Sequence, residues 1–130
     1  MILVAEDNEI NQLVVKHTLL NAGYDFKIVA DGRQAVESFL ADAPALILMD
    51  ISMPVMNGHE ATREIRLREA ETGGHVIIIG VTANALQGDC EACLEAGMDD
   101  YLAKPLELDV LVDKIANWLA RGTDQESLSA

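Results

Sequence analysis

The chain has 130 residues, 50% of them apolar and 24% charged, enough for one domain with its own core and too few for two. Its 22 acidic against 9 basic residues give a formal net charge of −13, a surface that repels nucleic acid and anionic lipid. No apolar run is long enough to span a bilayer, no secretory leader opens the chain, and Cys90 and Cys93 make no disulfide framework. A cytoplasmic domain without membrane contact is therefore expected.

Ile2–Ala5 reads as a first strand, followed at once by Glu6-Asp7-Asn8. Ile10, Leu13, Val14, His17 and Leu20 recur at helical spacing and predict the buried stripe of a first helix, closed by Gly23. Phe26–Ala30 predicts a second strand, and Asp31 an N-cap for a helix whose inward stripe is Ala35, Val36, Phe39 and Leu40. After Pro44, Ala45–Met49 is a continuous apolar run ending against Asp50, the pattern of a strand buried on both faces. Asn57-Gly58 turns into a third helix through Ala61, Thr62, Ile65 and Leu67, which Gly73-Gly74 ends. Val76–Val81 is a fourth strand rich in β-branched residues, Leu86–Ala96 a fourth helix, and Tyr101–Ala103 a short fifth strand before Lys104-Pro105. Leu108, Leu111, Ile115 and Leu119 give a last helix its stripe, with Trp118 helping to seat it. Arg121-Gly122 is expected to end that helix, so that 1–121 form the domain and 122–130 a tail or linker.

Five strands alternating with five helices predict an α/β domain: one doubly wound, five-stranded parallel sheet in the order 2-1-3-4-5. In such a sheet the residues just past the carboxyl ends of neighbouring strands meet in one crevice. Here they are Glu6 and Asp7, Asp50, Thr82 and Lys104. Three carboxylates placed together repel one another by about a kcal/mol or more per pair. A hard divalent cation resolves the conflict, and Mg²⁺ accepts a few carboxylates while keeping open positions. Lys104 and Thr82 suit the oxygens of a phosphoryl group, and Asp50 suits a nucleophile that forms an acyl phosphate. Each residue alone has an ordinary explanation as a helix-end charge, a turn residue, a cap or a solvated lysine. Their joint fall at four of five strand ends does not. Proline after Lys104 disfavours the helical backbone there and turns the side chain back toward the crevice.

Four segments, Ile2-Leu3-Val4-Ala5-Glu6-Asp7-Asn8, Leu48-Met49-Asp50-Ile51-Ser52-Met53-Pro54, Val81-Thr82-Ala83 and Tyr101-Leu102-Ala103-Lys104-Pro105, resemble the receiver domain of two-component response regulators. The resemblance runs from Ile2 to about Leu119. Asn8-Glu9-Ile10-Asn11, Thr82-Ala83-Asn84-Ala85-Leu86 and Ala96-Gly97-Met98-Asp99-Asp100-Tyr101 look most like receivers joined to hybrid sensor histidine kinases. It implies a flavodoxin-like receiver fold and a phosphoacceptor, Asp50, charged by a phosphohistidine on a histidine kinase or histidine phosphotransfer protein. It implies Mg²⁺ held by Asp7, Asp50 and the backbone carbonyl of Ser52, with Glu6 acting through water. Thr82 and Lys104 would contact the phosphoryl group, and Tyr101 would turn inward as Thr82 is drawn to it. The surface of the fourth helix, fifth strand and fifth helix would then change shape for partners, a second copy of the chain included. Ser52 and Asn84 fall where relatives tune the lifetime of the acyl phosphate. Output would pass through protein contact or a larger parent chain, because no effector domain follows Leu119.

Cys90 and Cys93 sit on a predicted helix without a second pair or a histidine close by in sequence, and read as half-buried helix residues rather than a zinc site. His17, His59 and His75 read as helix-face or solvated residues. Two other readings of the crevice compete. A small-molecule aspartyl-phosphate phosphatase resembles a nucleophile on the first strand under a substrate cap, whereas the candidate here lies on the third and leaves no room for one. A flavin binder would meet its phosphate with hydroxyls and amides, where this chain presents Glu6-Asp7.

Overall fold

A computed structural model describes residues 1–82, 89–104 and 107–129, with backbone only at 89–90 and 121–129. The elements are β1 (Ile2–Ala5), α1 (Glu9–Ala22), β2 (Phe26–Val29), α2 (Gly32–Asp42), β3 (Leu46–Asp50), α3 (Gly58–Thr72), β4 (Ile77–Thr82), α4 (Asp89–Ala96), β5 (Asp100–Ala103) and α5 (Leu108–Ser129). They build one five-stranded sheet in the order β2-β1-β3-β4-β5, parallel throughout. β1 and β3 are buried at every position, as central parallel strands are.

Successive side chains of a strand point to opposite faces, and the core divides accordingly. Leu3, Ala5, Ile47, Met49 and Ile78 pack with Ala35 and Val36 of α2, Ala61 and Ile65 of α3 and Cys93 of α4. Ile2, Val4, Leu46, Leu48 and Ile79 pack on the other face with Val15 and Leu19 of α1 and Leu111 and Ile115 of α5. At roughly 1.5–3 kcal/mol for each fully buried aliphatic side chain, these two layers hold the sheet while its carboxyl edge carries charge.

The predicted stripe of α1 is on the wrong face. Ile10, Leu13 and Leu20 are 71%, 55% and 54% exposed, and the helix buries Val15, Thr18 and Leu19 instead. Apolar residues cover more than one face of α1, so spacing alone does not choose between them, and the more numerous set is turned outward. Leu40 of α2, Leu67 of α3 and Leu108 of α5 are exposed as well, Leu67 on the face of α3 opposite its buried residues and Leu108 as the first residue of α5. α5 runs through Gly122 to Ser129 rather than ending at Arg121-Gly122; Thr123-Asp124-Gln125-Glu126 tolerates helix, and one glycine weakens it by only about 1 kcal/mol. The caps are as expected, Gly23 being left-handed at φ 83° and the Asp31 carboxylate accepting the Gln34 amide at 2.8 Å.

At the amino edge of the sheet Arg66 ties four elements together. Its Nε donates to the Gly97 carbonyl at 2.8 Å, beyond the end of α4. Nη1 donates to Glu69 at 2.6 Å and to the Val76 carbonyl at 2.8 Å, and Nη2 to Asp99 at 2.9 Å. Asp99 also accepts from the Ile78 amide at 2.9 Å and pairs with His75 at 2.7 Å.

Candidate functional site

Of the sequence-predicted site residues that lie among the described residues, Glu6, Asp7, Asp50, Ser52, Thr82 and Lys104 are at or just past the carboxyl ends of β1, β3, β4 and β5, while Tyr101 lies within β5. Asp50 is the last residue of β3 and is 2% exposed. The Ser52 amide donates to its Oδ1 at 3.1 Å, and Lys104, just past β5, donates to its Oδ2 at 3.0 Å. Glu6 follows β1 and is 4% exposed, with Lys104 Nζ 3.7 Å from its Oε2. Oxygens of Glu6, Asp7 and Asp50 lie within 4.8 Å of one another, and Asp7 stands at the solvent side. The backbone of Thr82 joins the group, its carbonyl accepting the Lys104 amide at 2.8 Å, and its side chain is buried at the end of β4. Ser52 is exposed at the rim. Tyr101 lies across from Gly80 in the sheet, half-buried against the α2–α4 layer, with the Lys114 ammonium 5.7 Å from its ring centre. Asn84 and Pro105 lie outside the described residues.

The sequence reading missed what aims these groups. Glu6 is held by the first turn of α1: the Asn8 amide and Asn11 Nδ2 donate to Oε1 at 3.1 and 3.3 Å, and Gln12 Nε2 to the Glu6 carbonyl at 2.6 Å. Polar side chains opening an otherwise apolar helix were the available signal. Asp50 is fixed from behind by glycine: a Cβ on Gly58 would collide with the Asp50 carbonyl, and the Gly58 amide donates to Ile51 O at 3.0 Å. Behind the fifth strand, Asp100 accepts from Lys114 at 2.9 and 3.0 Å and from Trp118 Nε1 at 2.9 Å, bracing β5 against α5. These donors hold the Asp100 carboxyl below its ordinary range although its burial acts in the opposite direction. The structure also sets His59 3.7 Å from the buried Cys93, a neighbour not visible in the local sequence.

The electrostatics describe a pocket short of positive charge. Burial, then a hydrogen bond and repulsion from Asp50, push the Glu6 carboxyl up from 4.5 to about 7, despite the Asn8 amide and Lys104. Burial alone would lower the Lys104 ammonium, but its hydrogen bond to Asp50 and the charges of Asp50, Glu6 and Asp7 outweigh it and raise it. Among the described residues three carboxylates share the Lys104 ammonium, and the shortfall of positive charge favours a proton on Glu6. A small oxygen-preferring dication meets the same need with the same donors, and the carboxylate set fits Mg²⁺.

The sequence profile described as response regulator receiver domain matches residues 2–116. The chain belongs to the response regulator receiver family. This receiver is 42% identical over 137 residues to hybrid signal transduction histidine kinase I of Dictyostelium discoideum, a match covering 99% of this chain and 8% of that protein. It is 39% identical over 121 residues to the sensor histidine kinase RcsC of Salmonella typhimurium, covering 93% of this chain and 12% of that protein. It thus spans only a small part of the curated relatives it matches. Among solved structures, the receiver domain of sensor histidine kinase PA1611 from Pseudomonas aeruginosa is 49% identical, with a TM-score of 0.84 over 92% of this chain and 96% of that one. That structure has a magnesium ion coordinated in its active site cleft. The receiver domain of the Saccharomyces cerevisiae response regulator Ssk1, solved with the histidine phosphotransfer protein Ypd1, is 35% identical, with a TM-score of 0.88 over 92% and 88% of the two chains. The five-stranded parallel order is that of these receivers, and the flavodoxin-like expectation stands. No helix among the described residues is long and apolar enough to cross a membrane.

Proposed function

We propose that this receiver accepts a phosphoryl group on Asp50 from a phosphohistidine of a histidine kinase or histidine phosphotransfer protein, in an Mg²⁺-dependent step. The observation that carries the reading is the clustering of Glu6, Asp7 and Asp50 oxygens within 4.8 Å, with Lys104 Nζ 3.0 Å from Asp50. An Asp50 carboxylate oxygen attacks phosphorus, the P–N bond breaks, and its electron pair returns to the leaving imidazole. Lys104 already bonds Asp50 and passes to an oxygen of the incoming group. The Thr82 hydroxyl donates to a second oxygen, and the Ser52 amide keeps the carboxylate oriented. Asp7, Asp50 and the Ser52 carbonyl would hold Mg²⁺, with Glu6 through water; when bound, the ion neutralises charge on the phosphoryl oxygens and the nucleophile.

Recognition of the donor is assigned to the outward face of α1. Ile10, Leu13 and Val14 begin four residues after Glu6, and Val14 continues into a groove lined by Leu108 and Val112 of α5. An exposed apolar strip beside a buried nucleophile fits a helical donor surface, and the Ssk1 receiver supports a partner of that class. Readout is assigned to the α4–β5–α5 surface, switched by Thr82 and Tyr101 and open to a second copy of this chain or another partner. Ser52 and Asn84 are assigned to the lifetime of the phosphoryl group. The receiver unit is residues 1–121, with 122–130, along which α5 continues to Ser129, a tail or a linker to a larger parent chain such as a cytoplasmic hybrid kinase; it catalyses only its own phosphorylation and dephosphorylation.

The test is phosphorylation followed by intact mass and phosphotransfer profiling. Acetyl phosphate with Mg²⁺ is expected to add one phosphoryl group to wild type and none to Asp50→Asn. Leu13→Glu is expected to keep the acetyl phosphate reaction while losing transfer from phosphohistidine donors. Addition to Asp50→Asn would place the nucleophile elsewhere.

A further inference from the structure

Between Asp50 and α3 the chain makes a tight turn that packing and backbone preference do not explain. The Met56 amide donates to the Pro54 carbonyl at 2.7 Å, closing a three-residue turn, and its central residue, Val55, stands at φ 67°. A γ-turn with a left-handed centre is rare and strained, and a β-branched residue is among the least suited to it. Glycine adopts a positive φ at no steric cost, and an unbranched side chain meets less crowding there than valine. Packing does not require valine either. Ile51, Met53 and Met56 turn inward against the core, while Val55 is 78% exposed, more than any other large hydrophobic side chain among the described residues. The turn is held from both sides, the Gly32 amide donating to Met56 O at 3.0 Å and the Gly58 amide to Ile51 O at 3.0 Å. Gly32 leaves no space for a side chain against the Met56 carbonyl. The scaffold therefore presents one apolar side chain outward on a fixed backbone, five residues from Asp50.

Building on the phosphoacceptor reading above, we propose that Val55 is a specificity-determining contact for the histidine-bearing phosphoryl donor. Asp50 is 2% exposed, so a macromolecular donor reaches it only by pressing its own surface onto the loops at the rim. The 51–57 loop and the start of α1 both leave the carboxyl edge of the sheet. On a chain of net charge −13, a neutral branched knob is an anchor that the donor can bury without meeting a carboxylate. A small-molecule donor needs no such contact, and this separates the roles of Val55 and the pocket.

The experiment compares wild type, Val55→Asn and Val55→Ile with two kinds of donor. One is acetyl phosphate; the other is a panel of phosphorylated histidine phosphotransfer proteins, Ypd1 included, from which the fastest donor to wild type is used. Val55→Asn is expected to melt at the same temperature or a few degrees higher, since it relieves the turn. It is expected to keep the acetyl phosphate rate and lose about tenfold in kcat/KM with the protein donor, through KM. Val55→Ile is expected to transfer as wild type does. Val55→Asn matching wild type with the protein donor overturns the proposal. So does an equal loss with both donors, or a fall in melting temperature, which would make Val55 structural. A change confined to self-association gives the knob to a second copy and also overturns it. If acetyl phosphate loads Asp50 and no protein donor does, this docking role falls with the partner; if nothing loads Asp50, the phosphoacceptor reading itself falls.

Discussion

Replacing Glu6 by glutamine tests the charge balance of the pocket directly. The folded chain holds the Glu6 proton up to about pH 7, against 4.5 for the free group. Between those values the folded state carries a proton that the unfolded state has lost, so stability in metal-free buffer falls as pH rises through this window and is flat above it. The shift corresponds to a ceiling of about 3 kcal/mol at about 1.4 kcal/mol per unit. Glutamine keeps a carbonyl oxygen for the Asn8 and Asn11 donors that Glu6 now serves at 3.1 and 3.3 Å, while removing the titration. Glu6→Gln is therefore expected to match wild type near pH 4 and to exceed it by about 2–3 kcal/mol at pH 8 in EDTA. The assay is urea unfolding followed by Trp118, which is half-buried against the α1–α5 layer. At a slope of about 2 kcal/mol/M, the two midpoints separate by about 1–1.5 M at pH 8. Parallel midpoints across pH 4.5–7 would refute the account of Glu6 as the group that absorbs the pocket's excess charge. Millimolar Mg²⁺ at pH 8 is expected to close the gap, because the proposed ion restores to wild type what the missing proton removed.

Other predictions concern the metal and the frame. Mg²⁺ at ten times its Kd is expected to stabilise wild type by about 1.4 kcal/mol, read as a rise of a few degrees in Tm. Asp7→Asn is expected to abolish most of that rise, and equal shifts in both proteins would remove Asp7 from the ligand set. Arg66→Ala is expected to cost about 3–5 kcal/mol, since it strands Glu69 and Asp99, which are 7% and 14% exposed. Arg66→Lys is expected to recover little, because one ammonium cannot reproduce the bonds made by Nε, Nη1 and Nη2. A loss below 1 kcal/mol in urea unfolding would show that the clamp is dispensable.

The sheet was legible because central parallel strands are uniformly apolar: Ile2–Ala5 and Leu46–Met49 admit few other readings, and each runs straight into its acidic residues. Once the strand order was inferred, the meeting of Glu6, Asp7, Asp50 and Lys104 followed from topology. The face of α1 was not legible. Val15 and Leu19 face the core while Ile10, Leu13 and Leu20 do not, and a pattern of hydrophobicity cannot tell which of two apolar faces turns inward. The Arg66 cluster was hidden for a different reason. Its members are 31 and 33 residues apart at Gly97 and Asp99, and isolated charges in sequence look like solvated ones until the fold brings them together. The valine at a left-handed position was equally hidden, since nothing in Pro54-Val55-Met56 announces that backbone.

Arg66 gives α4 a mechanical character of its own. The guanidinium grips the carbonyl of Gly97, one residue past the last turn of that helix, and ties it to the starts of β4 and β5. The opposite end of α4 points back toward the edge where Thr82 lies. Any displacement of α4 against the sheet must therefore break these bonds or pivot about the Gly97 end.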